Sequence, residues 1–105
     1  MSLQSRRCTP HVSTLVPSEV DSLLPEVEGW EIRNGQLCRT FAFPDYHHAI
    51  AFVNAVAWIA HQQDHHPELA VVYNRVEVRW DTHSVNGLSI NDFVCAAKVG
   101  ALKVP

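Results

Sequence analysis

The stretch Arg75-Val76-Glu77-Val78-Arg79-Trp80-Asp81 decides the fold. Val76, Val78 and Trp80 alternate with Arg75, Glu77, Arg79 and Asp81, the period of two by which a strand buries one face and wets the other. Such a sheet is antiparallel, and its apolar face needs a cover. Upstream, Gly29-Trp30-Glu31-Ile32 and Leu37-Cys38-Arg39-Thr40-Phe41-Ala42-Phe43 flank Asn34-Gly35, the strongest short hairpin signal. The first two strands therefore pair antiparallel. Leu69 to Tyr73 reads as a third strand, joined to the alternating one by a tight turn at or near Asn74-Arg75.

The cover is supplied by helices. Asp45 to Gln63 contains neither Gly nor Pro, and Tyr46, Ala49, Ile50, Val53, Ala57 and Ala60 recur at helical spacing. Phe52, Val56 and Ile59 form a second apolar row, so this helix is either sandwiched within the fold or meets a second subunit. Pro67 is expected to close it, leaving His65 and His66 at its C-terminal end. A short first helix is expected from an N-cap at Ser18, with Asp21 three residues on, to just before Pro25. After a break at Gly87, Ser89 caps a final helix with Asp92 at its third position and a buried stripe of Ile90, Phe93, Val94, Ala97 and Ala101.

Residues 1–16 lack periodicity and read as a flexible N-terminal arm, with residues 17–105 as a single domain. The resulting order, α-β-β-α-β-β-α, is an α+β fold: a four-stranded antiparallel sheet covered on one face by helices.

Composition narrows the function. Of 105 residues, 47% are hydrophobic and 18% charged, which is ordinary globular chemistry. The formal net charge is −3 with no Lys or Arg stripe, which speaks against nucleic-acid binding. No apolar run approaches the roughly 20 residues of a membrane-spanning helix. No apolar block follows Arg6-Arg7 as an export signal would require, so the cytoplasm is the expected compartment. Cys8, Cys38 and Cys95 form no Cys-x-x-Cys pair and read as inert thiols, not as a disulfide framework or zinc site.

The chemistry-bearing residues cluster late in the chain: His65-His66-Pro67-Glu68, Tyr73-Asn74-Arg75-Val76, Thr82-His83 and Gly87-Leu88-Ser89-x-x-Asp92. They fall where elements end, so their side chains are free to converge on a ligand. His65 and His66 sit at the negative end of a helix dipole, where imidazolium is favoured. The alternation carried onward puts Thr82 inward and His83 outward, but strand ends twist and leave the direction of His83 open. Asp92 completes a capping box and is also placed to serve a site. An alternative is a metal site on His61 and His65, which share a helix face, with His83 as third ligand. His47 and His48 read as surface residues.

These four blocks, in this order and spacing, resemble the pterin-4a-carbinolamine dehydratase family. The likeness runs from about Gly29-Trp30 to Ala97, through the strand Arg39-Thr40-Phe41-Ala42-Phe43 and a long helix carrying Phe52 and Val56-Ala57. It implies the α-β-β-α-β-β-α fold, a homodimer or homotetramer, no metal and no organic cofactor. The implied activity is dehydration of 4a-hydroxytetrahydropterin to the quinonoid dihydropterin, in tetrahydrobiopterin recycling. By resemblance, His65, His66 and His83 are catalytic histidines. Asp92 is the site carboxylate, and Asp92, His66 and His61 bind the substrate. The chain departs from the pattern at His61, where many relatives have Glu. The family also leaves open an aromatic amino acid hydroxylase as pathway partner. Some animal relatives also act as dimerisation cofactors for a homeodomain transcription factor, so a protein-binding module is the alternative the resemblance implies.

Overall fold

Val76, Val78 and Trp80 are fully buried, as their alternation requires. The computed structural model describes residues 2–103 and places them on β4, Arg75–Trp80, next to the centre of a four-stranded sheet. The other strands are β1, Glu31–Arg33, β2, Gln36–Ala42, and β3, Glu68–Val72. Their spatial order is β1-β2-β4-β3, antiparallel throughout. Register sets the inner face: Leu37 pairs with Trp80, Arg39 with Val78 and Phe41 with Val76. The outer face is wet and ionic, with Glu77 bonded to both Arg33 and Arg79.

The hairpin between β1 and β2 turns at Asn34 and Gly35, with φ of 50° and 75°. Both angles are positive, as the tight turn matching strand twist demands. Three helices complete the fold: α1, Pro17–Leu23, α2, Tyr46–Gln63, and α3, Ile90–Gly100. Helices α2 and α3 pack on β4 and on each other, and α3 also reaches β2. This is the expected α+β architecture.

Several details differ from the sequence reading. Helix α1 starts one residue before Ser18, because Pro17 has its φ preset for a first helical position and the Glu19 carboxylate accepts the Val16 N–H at 2.9 Å. Helix α2 stops at Gln63, four residues before Pro67. Asp64 adopts the left-handed conformation, φ 50°, and its N–H with that of His65 closes onto Ala60 O. The buried face of α2 takes the second apolar row together with part of the first. Ala49, Phe52, Val56, Ile59 and Ala60 are buried, while Tyr46 and Ala57 are exposed. Phe52 is drawn inward by Phe41 and Phe43, whose rings lie 4.6 and 5.0 Å from its own.

The stretch read as a flexible arm lies against α3 and the end of α2. Leu3 is buried in the core, the Cys8 N–H donates to Gln63 Oε1, and Thr9 makes a reciprocal pair with the Asn91 amide. This cover explains why α3 is buried beyond a single stripe, with Asn91, Asp92, Cys95, Ala96 and Val99 enclosed as well as Phe93 and Val94. Met1, Val104 and Pro105, included in the expected boundaries, lie outside the described residues.

Candidate functional site

The site is built around one carboxylate. Ser89 caps α3, its Oγ accepting the Asn91 N–H at 3.2 Å, and the Ser89 N–H donates to Asp92 Oδ2 at 2.9 Å. Thr82, just past β4, donates its hydroxyl proton to the same oxygen at 2.8 Å and accepts from Ser89 Oγ at 2.8 Å. The other oxygen, Oδ1, accepts from His65 Nε2 at 2.6 Å. Asp92 is wholly buried and its lone pairs are occupied by three donors, the condition under which a buried carboxylate is tolerable.

His65 is held from a second side. Its ring stacks on Trp80 with centroids 5.4 Å apart and planes 7° from parallel. Backing by β4, clamping by α3 and the left-handed turn at Asp64 leave its side chain 12% exposed. Burial opposes the charge of the imidazolium, but the hydrogen bond and charge of Asp92 outweigh it. The pKa of His65 is therefore raised above the ordinary imidazole value. Because Nε2–H is committed to Asp92, Nδ1 is the nitrogen available for proton exchange.

The direction the sequence leaves open at His83 is outward, with Thr82 buried and His83 exposed. It opens a 3-10 turn, His83–Val85, whose ends are clasped by the bridge between Thr82 and Gly87. Its side chain is 86% exposed, and Nε2 lies 3.3 Å from Asp81 Oδ1. The Asp81 charge also reaches His65 and favours its protonated form. Asp81 is thus part of the charge environment of both histidines. The signal for it was its place at the end of the alternating strand. His66 is exposed beside the anchored His65.

The two other residues expected at the substrate differ in exposure. Asp92, expected to bind substrate, is wholly buried, with Oδ1 bonded to the His65 ring and Oδ2 to Thr82 and Ser89. His61, expected to line the substrate site beside His65, is exposed and stacks on Trp58, with centroids 5.6 Å apart. The carboxylate partner of His65 comes from α3 and not from the preceding turn of α2. Among the described residues no three His, Cys, Asp or Glu side chains are grouped to hold a metal ion, so the His61, His65 and His83 alternative is not assembled.

Comparison with known proteins identifies the family. Residues 13–102 match the family described as pterin 4 alpha carbinolamine dehydratase. A protein of Xanthomonas oryzae pv. oryzae is 51% identical over 105 residues, 95% of this chain and 89% of its own length. It carries the provisional name pterin-4-alpha-carbinolamine dehydratase. A similarly named protein of Stenotrophomonas maltophilia is 51% identical, covering 95% of this chain and 90% of its own length. Among solved structures, the transcriptional coactivator/pterin dehydratase of Brucella melitensis superposes with a TM-score of 0.80 at 37% identity, over 85% of this chain and 97% of that one. The match over most of the domain, together with the His-His-Pro and Thr-His segments that Asp92 ties to one point, means that this chain belongs to the pterin-4a-carbinolamine dehydratase family.

Proposed function

We propose that the protein dehydrates 4a-hydroxytetrahydropterin to the quinonoid dihydropterin by proton transfer through histidine. The observation that carries this reading is the His65–Asp92 pair stacked on Trp80, an imidazole fixed in one orientation whose pKa the carboxylate raises above the ordinary value. Loss of water from C4a needs a proton on the departing hydroxyl while the N5 lone pair drives the C4a–O bond apart. His65 supplies that proton from Nδ1 and remains the Nε2–H tautomer on Asp92. The N5–H proton leaves to His83, whose solvent exposure lets it exchange with water. His66 then serves chiefly to bind and orient the pterin. Such acid/base assistance contributes about 10²–10⁴-fold.

The test is a dehydratase assay on 4a-hydroxytetrahydropterin. Loss of the carbinolamine should be accelerated, should survive exhaustive chelation, and should fall by about 10²–10⁴-fold in His65→Ala. Abolition by chelator with recovery on adding zinc would overturn the metal-free mechanism. An unchanged rate in His65→Ala would remove His65 from it.

A further inference from the structure

Cys8 and Cys95 are 87 residues apart in sequence, yet their sulfurs lie 3.4 Å from each other. We propose that they form a peroxide-oxidisable dithiol whose disulfide ties the N-terminal segment covalently to α3. Their surroundings divide the two roles. Cys8 is partly exposed, on a backbone fixed by its N–H to Gln63 Oε1 and by the Thr9–Asn91 pair one residue on. Cys95 is buried on α3, one turn after Asn91. The attacking thiol is thus the one a small oxidant can reach, and the resolving thiol waits directly behind it.

Charge runs the same way. The Cys95 thiol hydrogen-bonds to Cys8, and although burial opposes ionisation, that bond and the charge of His65 bring the Cys8 pKa below its ordinary value. The bond to Cys8 and burial push Cys95 up, so Cys8 is the more readily ionised thiol of the pair. The thiolate is the nucleophilic form.

The oxidant is a hydroperoxide. The Cys8 thiolate attacks one peroxide oxygen, forming S–O and breaking O–O, and the departing oxyanion takes up a proton, leaving a sulfenic acid on Cys8. The Cys95 sulfur then attacks the Cys8 sulfur. S–S forms, S–O breaks, and the hydroxide that leaves accepts the Cys95 proton as water. The sulfurs must close from 3.4 Å to about 2.05 Å. That shift lies within the reach of side-chain rotation on the partly exposed Cys8.

The three cysteines separate on trypsin digestion: Cys8 heads the peptide ending at Arg33, Cys38 lies in the peptide ending at Arg39, and Cys95 in the peptide ending at Lys98. The folded protein is treated with stoichiometric hydrogen peroxide, blocked with an alkylating reagent and mapped by mass spectrometry. The expected result is a dithiothreitol-reversible link between the Cys8 and Cys95 peptides, Cys38 remaining alkylated as a thiol. The melting temperature should rise by several degrees on oxidation, and Cys8→Ser should abolish both the link and the rise. In Cys95→Ala, the Cys8 sulfenic acid should persist long enough to be trapped by dimedone. Oxidation of Cys8 to sulfinic or sulfonic acid with Cys95 still free in the parent protein would overturn the proposal. So would a link involving Cys38.

Discussion

At the residue scale, Asp92 governs His65 through a bond that has a definite pH signature. His65 is raised above its unfolded value of about 6.5, so the stability it contributes is fully present below that pH. It is lost as pH rises through the higher folded value. Denaturant unfolding of the parent and of His65→Asn should therefore differ most below about pH 6.5 and converge at higher pH. Asp92→Asn keeps the shape but removes the charge. The alkaline limb of its pH–rate profile should move to lower pH, with turnover falling more than substrate affinity. An unmoved limb would show that His65 is not the group titrating in that limb. The sequence made His65, Thr82, Ser89 and Asp92 legible as one neighbourhood, because each stands at an element end. It did not show that the carboxylate is buried against the His65 ring. That depends on how α3 lies against β4, a packing relation without a local sequence signal.

At the element scale, turn chemistry was readable and helix facing less so. Asn34-Gly35 announced its hairpin because only certain residues accept two consecutive positive φ angles. No heavy atom beyond its chain neighbours lies within 4 Å of a Cβ added at Gly35, so Gly35→Ala isolates the backbone effect. It should cost about 1–2 kcal/mol in chemical denaturation. Little change would mean that the turn relaxes to another type. The facing of α2 is open in the sequence because both of its rows are apolar, and Phe52 of one row meets the aromatic pair Phe41 and Phe43 on and just past β2. The N-terminal segment escaped periodicity, since a single 3-10 turn at Leu3–Ser5 and backbone hydrogen bonds to the Gln63 and Asn91 side chains dock it. Asn91→Ala removes both bonds to Thr9 and should speed hydrogen exchange at the Cys8 and Thr9 amides. The stability cost is expected at about 1–3 kcal/mol. Unchanged exchange would place the anchor at Leu3 instead.

At the scale of the whole molecule, one helix face remains without a cover. Tyr46 is 54% and Trp58 60% exposed, Ala57 is also exposed, and Ile50 and Val53 are half-buried. Positions 46, 50, 53 and 57 are spaced by four, three and four, the seam along which two helices interlock. A domain of this size gains usefully from such burial. The expected occupant is α2 of a second copy, and sedimentation at micromolar concentration should then show a dimer or tetramer. Ala57→Glu places a carboxylate on the seam without touching the core, because Ala57 is exposed in the single chain. It should shift the species toward monomer while circular dichroism stays unchanged. If the parent protein sediments as a monomer, α2 is not an assembly face. If Ala57→Glu remains assembled, subunits join elsewhere, and the β3 edge, with Val72 58% and Tyr73 64% exposed, becomes the surface to alter next.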